Sequence, residues 1–233
     1  MFISTATSHE EADRAATVAV LPVGSFEQHG DHLPLSTDTF VACAIARRLA
    51  DDYNLLLLPP ITISCSHEHA GFAGSVSISS STLSAIVRDV FASLKQSGIP
   101  KLVVTNGHGG NYVLSNIVQE ANLGDRQMLL YPRGEDWDDA RRVAGLDTNN
   151  HEDMHGGEAE TSILLANAPE MVRPSYVDAD FDVRDRRYLL TTGMAGYTKS
   201  GIIGRPSVAT AEKGRALLDA FSATFRNHLA QLQ

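Results

Sequence analysis

The chain has only two cysteines in 233 residues, Cys43 and Cys65, too few for a disulfide framework and not spaced as a CxxC pair. That points to a reducing, cytoplasmic setting. Positive charge is scarce as well. Nineteen Lys and Arg face 28 Asp and Glu, a net charge of -9 that repels nucleic acid phosphates and anionic membranes, so neither is expected as a partner. Long hydrophobic runs are missing: the longest uncharged apolar stretch, Leu55 to Ile63, is short and is broken by Pro59 and Pro60. The opening MFISTATSHEEADRAA lacks the basic-then-apolar layout of a signal peptide. Internal repeats, low-complexity tracts and charge blocks are also absent. What is present is a packed globular composition, 43% apolar and 20% charged, expected to form one domain over residues 1–233.

Short β-rich runs alternate with segments of helical period. Val18 to Val23, Leu55 to Leu58, Lys101 to Thr105 and Gln127 to Tyr131 have the character of buried strands. Between them, Thr39 to Ala50, Thr82 to Ser97 and Tyr112 to Ala121 carry amphipathic helical patterns, and Ala211 to Leu232 closes the chain with another. This alternation predicts an α/β fold with a mostly parallel sheet. Arg133 to Glu152 is polar and acidic, with Trp137 its largest hydrophobe, and is expected as a loop or an exposed helix. Ser175 to Ser207 is irregular and rich in glycine, and long loops of this kind in compact domains are often functional.

Seven of the nine histidines fall in three neighbourhoods. In GSFEQHG (Gly24 to Gly30), Glu27 and His29 lie two apart in an extended stretch and so point to one side, with Asp38 following at the start of a helix. Carboxylates with imidazole suit Zn²⁺ or Mn²⁺, although Asp38 could instead cap its helix. NGHGGN (Asn106 to Asn111) opens a helix after a strand; it lacks the spacing of either nucleotide fingerprint and places His108 where those have none. DMHGGEAETS (Asp153 to Ser162) joins His155 to Asp153, Glu158 and Glu160. Acids at a helix start complement the macrodipole, but this does not account for His155. Together these strand-end loops hold the complement of a two-metal hydrolase, with His155 as general acid/base oriented by Asp153.

The stretches GSFEQHGDHLPLSTDT, NGHGGN and HGGEAETS resemble the creatininase, or creatinine amidohydrolase, family, and EHAGFAGSVSIS and GRPSVATAEKG resemble its other recurring segments. The resemblance implies a three-layer α/β/α fold, two divalent ions per chain (Zn, Mn or Fe) and a homo-oligomer, often a hexamer. It implies that Glu27, Asp38 and His108 hold one ion and that His29, a bridging Asp38 and a second carboxylate hold the other. In creatininases proper that carboxylate stands two residues after the NGH histidine, where this chain has Gly110, so Glu158 is expected to replace it. His155 matches the family's catalytic histidine. His32, His69, Glu160 and His151 are expected around the metals or the substrate pocket.

The substrate expected first is a small non-peptide amide, cyclic amide or formamide. Peptide hydrolysis of the mycofactocin-precursor type follows, and then creatinine. The tryptophan positions of creatinine-cleaving enzymes fall at Pro132 and His151, while Trp137 or the Ser175–Ser207 segment could gate the site. Outside amide hydrolysis stand a two-metal phosphoesterase, for which only Arg133, Lys199 and Arg205 offer cations, and a catalytically inactive binding protein.

Overall fold

A computed structural model describes residues 3–232 of the chain. After a short helix α1 (Ser8–Arg14), the elements run β1 (Val18–Val23), α2 (Thr37–Tyr53), β2 (Leu56–Leu57), α3 (Ser80–Gln96), β3 (Lys101–Asn106), α4 (Val113–Ala121) and β4 (Met128–Leu130). Helices α5 (Gly134–Ala144), α6 (Glu158–Asn167), a single turn α7 (Leu189–Thr192) and α8 (Ala211–Leu229) complete the order. The strands form one parallel sheet in the order β2-β1-β3-β4.

Both faces of the sheet are covered, as an all-parallel sheet requires. Side chains alternate along a strand. Thus Val18 and Val20 of β1 and Val103 of β3 join a core with α2, α6 and α8, while Ala19, Leu21, Leu102 and Val104 join a second core with α3 and α4. Leu217, Phe221 and Phe225 recur every four residues on α8, and Leu83, Val87 and Phe91 do the same on α3, each forming one apolar stripe. Ser79 and Thr210 cap these two helices through the backbone N–H groups of Thr82 and Lys213.

The acidic stretch after Arg133 is a helix rather than a loop over much of its length. Trp137 of α5 meets Phe221 of α8 edge-on at 4.7 Å, so this helix belongs to the packed layer. The Ser175–Ser207 region consists of short turns, and its end is pinned: His155 and Ile203 exchange backbone hydrogen bonds of 2.9 and 3.0 Å. No helix among the described residues is long and apolar enough to cross a membrane.

Candidate metal centre

In a parallel sheet the carboxyl ends of neighbouring strands lie on one edge, and loops leaving that edge converge. Val23 ends β1 directly opposite Asn106 of β3. Glu27 and His29 leave the first strand and His108 the second, while Asp38 stands in the first turn of α2. Gly107 allows the closest approach, since a Cβ there would overlap the Asp38 backbone carbonyl. Glu27, His29 and Asp38 are almost fully buried, and His108 and His155 are 5% exposed.

His108 Nδ1 lies 3.1 Å from Glu27 Oε1 and 3.3 Å from Asp38 Oδ2. Ligands 2.0–2.1 Å from a tetrahedral ion are themselves about 3.3 Å apart. Glu27 Oε1 and Asp38 Oδ2 are also buried without a hydrogen-bond partner of adequate geometry. Buried acceptors left open in this way need a cation or a donor. On the other side, His29 Nε2 is 3.0 Å from Asp38 Oδ1 and 3.9 Å from Glu160 Oε1. Among the described residues, Glu27, Asp38 and His108 could hold an ion, as could His29, Asp38 and Glu160, with Asp38 common to both groups. A third group, Glu27, His29 and His155, overlaps them. The donor set of imidazole nitrogens and carboxylate oxygens fits Zn²⁺ or Mn²⁺.

Without a metal, protons supply the missing positive charge. Burial alone would lower His29, but Asp38 beside it raises it to about 9, and His108 is likewise raised well above its ordinary value by Glu27 and Asp38 against the pull of burial. Asp38, despite burial, is held far below the usual carboxylate range by His29 and His108. Glu160 rises to about 7, driven by burial and the like charge of Asp38 against the pull of His29. His155 goes the other way: burial and the neighbouring His29 and His69 push it well below 6.5, so it is neutral.

His155 stacks at 4.1 Å from His29 and 4.4 Å from His69. Its Nε2–H donates to the Gln28 carbonyl at 2.6 Å, which leaves Nδ1 facing Glu27 Oε1 at 3.7 Å. His69 reaches Glu27 Oε1 at 3.1 Å and accepts the Gln28 amide at 3.0 Å, putting it against the cluster as expected of a surrounding residue.

Three expected roles are not supported by the geometry. Glu158 faces away from the cluster: its carboxylate accepts from the Asp147 and Thr148 backbone N–H groups at 3.0 Å, from Thr148 Oγ1 at 2.6 Å and from Lys213. Helix α6 begins at Glu158, and residues two apart on a helix point about 200° apart, so Glu160 faces the His29–Asp38 cluster and Glu158 cannot. Asp153 does not touch His155. It takes the Glu158 and Ala159 N–H groups at 2.6 and 3.0 Å and the Arg141 guanidinium at 2.9 Å, because the unsatisfied first turn of α6 lies within its reach. His151 is on the surface, donating to the Arg184 carbonyl at 2.8 Å. His32 is buried behind the cluster with Nε2 3.4 Å from Thr161 Oγ1.

Two cavities flank the NGHGGN loop and share Tyr112. One of about 470 Å³ opens over His108, Glu160 and Trp137, and Pro132 also lines it. The other, of about 640 Å³, is bounded by Glu68, Gly110, Leu190 and Ala195. Glu68 received no role from sequence, and its only sequence signal is its place beside His69.

The geometry defines a buried site of carboxylates and histidines at the strand ends of an α/β/α protein. The family model described as creatinine amidohydrolase matches residues 4–229, and the chain belongs to the creatininase family. It is a hydrolase of the C–N amidohydrolase kind. It is 33% identical over 211 residues to a mycofactocin precursor peptide peptidase of Mycobacterium ulcerans (strain Agy99), covering 85% of this chain and 78% of that one. It is 29% identical over 245 residues to a creatinine amidohydrolase of Pseudomonas putida, covering 94% and 92%. A crystal structure of creatinine amidohydrolase superposes with a TM-score of 0.80 at 24% identity, over 97% of this chain and 95% of the other. Similar solved creatininases include a Mn form and a Zn–Zn form.

Proposed function

We propose that this protein hydrolyses an amide C–N bond with two divalent ions, one held by Glu27, Asp38 and His108 and the other by His29, Asp38 and Glu160. The observation that carries this reading is the pair of buried, unpartnered acceptors, Glu27 Oε1 and Asp38 Oδ2, facing one imidazole nitrogen. When bound, such ions polarise a carbonyl oxygen and lower the pKa of water towards about 7.

The protein's own groups supply the rest. His155 is neutral and anchored through Nε2, so its free Nδ1 can accept a proton beside Glu27 and return it to the departing nitrogen. The Gln28 side chain, donating to His69 and to the Gly201 carbonyl at 3.0 Å, ties the Glu27 loop to the segment that carries Ile203. Buried walls keep bulk water from the carboxylates.

For the substrate, a peptide amide moves ahead of the small amide first expected. Support comes from the peptidase relative at 33% identity and from the two cavities on either side of the NGHGGN loop, which share Tyr112 and together offer more room than a small amide needs. Creatinine fits least. His151 is on the surface and Pro132 offers no aromatic ring, so the aromatic walls expected of creatinine-cleaving enzymes are missing at both positions.

The test is metal content per chain by mass spectrometry, followed by turnover of short peptides, formamides and creatinine with the metal identified. About two equivalents and peptide turnover are expected. Failure to bind metal after reconstitution overturns the reading.

A further inference from the structure

Position 110 is a glycine, and the space a side chain would need there is already taken. A Cβ built on Gly110 would lie 2.8 Å from Glu68 Cδ and would overlap both Glu68 Oε1 and His108 Nε2. The occupant comes from a different loop, 42 residues earlier in the chain. It stands in the one-turn helix His67–His69, which is backed by Gly193, where a Cβ would press to 2.8 Å on the Glu68 carbonyl. The turn sends adjacent side chains to two members of the cluster: His69 Nε2 to Glu27 Oε1 at 3.1 Å, and Glu68 Oε1 to His108 Nε2 at 3.3 Å.

His108 Nε2 therefore faces two acceptors, the Glu68 carboxylate and the Cys65 carbonyl at 2.8 Å. A metal-bound His108 is neutral, and these two acceptors then keep its one hydrogen on Nε2. The lone pair is then on Nδ1, the atom turned towards Glu27 and Asp38. A carboxylate on the far nitrogen of a metal-binding histidine fixes its tautomer and ring angle and makes the near nitrogen more basic. Glu68 is 16% exposed at the edge of the larger cavity, so it can stay ionised while it does this.

We propose that Glu68 is a positioning residue for His108, its carboxylate filling the volume left at Gly110 and holding Nδ1 towards the metal. This role rests on the reading of His108 as a metal ligand. It is tested by zinc affinity, measured in competition with a chromophoric chelator, for wild type, Glu68→Ala, Glu68→Gln, Gly110→Ala and the Glu68→Ala/Gly110→Ala double variant.

Glu68→Ala is expected to weaken zinc binding roughly 10- to 100-fold, as loss of such outer partners does, and Glu68→Gln, which keeps an acceptor oxygen, by less. Gly110→Ala alone also weakens binding, because its methyl evicts the carboxylate and crowds His108 Nε2, and its penalty is smaller once Glu68 is Ala, when only the crowding of His108 is left. The same coupling appears without metal, as a melting temperature lowered more by Gly110→Ala when Glu68 is present than when it is Ala. Wild-type affinity in Glu68→Ala, or a Gly110→Ala penalty equal in both backgrounds, overturns the role. If wild type takes up no zinc, the proposed function fails separately. The metal-free melting comparison then decides alone, with equal shifts overturning the contact and unequal ones supporting it.

Discussion

Glu158 and Glu160 stand two residues apart and have opposite consequences when removed. Glu158 is fully buried and accepts from the Thr148 N–H and hydroxyl, the Asp147 N–H and Lys213. Breaking a buried ion pair by deleting one partner costs about 3–5 kcal/mol. Lys213 keeps Asp147 at 2.6 Å and the Val208 carbonyl at 2.9 Å, so Glu158→Ala belongs near the lower figure, about 3 kcal/mol. At about 2–4 °C per kcal/mol for a chain of this size, the melting temperature should fall by roughly 6–12 °C with metal content intact. Glu160 accepts one backbone bond, from Gly156 N–H at 2.6 Å, and its charge repels that of Asp38. Glu160→Ala should therefore move the metal-free melting point by little, about 1 kcal/mol or less, while bound metal falls from two equivalents towards one. Calorimetric melting and elemental mass spectrometry on the same preparations separate the two effects. Loss of metal in Glu158→Ala with an unchanged melting point, or retention of both ions in Glu160→Ala, would refute the geometry.

His155→Ala should lower kcat by about 10²–10⁴ while both metals remain, and a rate within tenfold of wild type would remove the histidine from proton transfer. Metal uptake should release protons, because His29, raised to about 9, and His108, raised well above its usual value, must become neutral to bind, and Glu160, raised to about 7, must give up the proton it partly holds. Two or more protons per chain, read by calorimetry in buffers of different ionisation enthalpy, and an affinity that rises with pH are the expected results; proton-neutral uptake would contradict them. In the metal-free protein the pairing of His29 stabilises fully below about pH 6.5 and is lost as pH rises through about 9, whereas the burial of neutral His32 and His69, lowered to about 4 and about 3, stabilises above about pH 6.5 and is lost as pH falls. Melting temperature should therefore peak near neutral pH, and a steady rise from pH 6.5 to 9.5 would show that His29 carries no extra proton. Asp153→Ala should lower the melting temperature, since it uncaps α6 and strands the buried Arg141, without shifting the pH dependence of kcat; a shifted profile would return Asp153 to His155.

Sequence pattern reaches as far as local order does. The β-rich runs of β1 and β3, each followed by a glycine turn and a histidine, predict both the parallel sheet and the edge where Glu27, His29 and His108 meet, because strand direction alone brings those loops together. Helix α5 is less legible: its sequence, GEDWDDARRVA, is mostly charged, and it is held by Trp137 against Phe221, a contact 84 residues away. The carboxylates of α6 are a matter of phase. Read as an extended loop, HGGEAE puts Glu158 and Glu160 on one side; read as a helix starting at Glu158, it puts them on opposite sides, and Asp153 is the cap that starts the helix there. Asp153 thus serves the site by setting which glutamate faces His29 and Asp38, and the acidic pattern after His155 cannot reveal this without its bonds. Glu68 lies furthest from local inference. Its mark in the sequence is an absence, the missing side chain at Gly110, and an absence acquires a partner only when the fold brings the His67–His69 turn against His108.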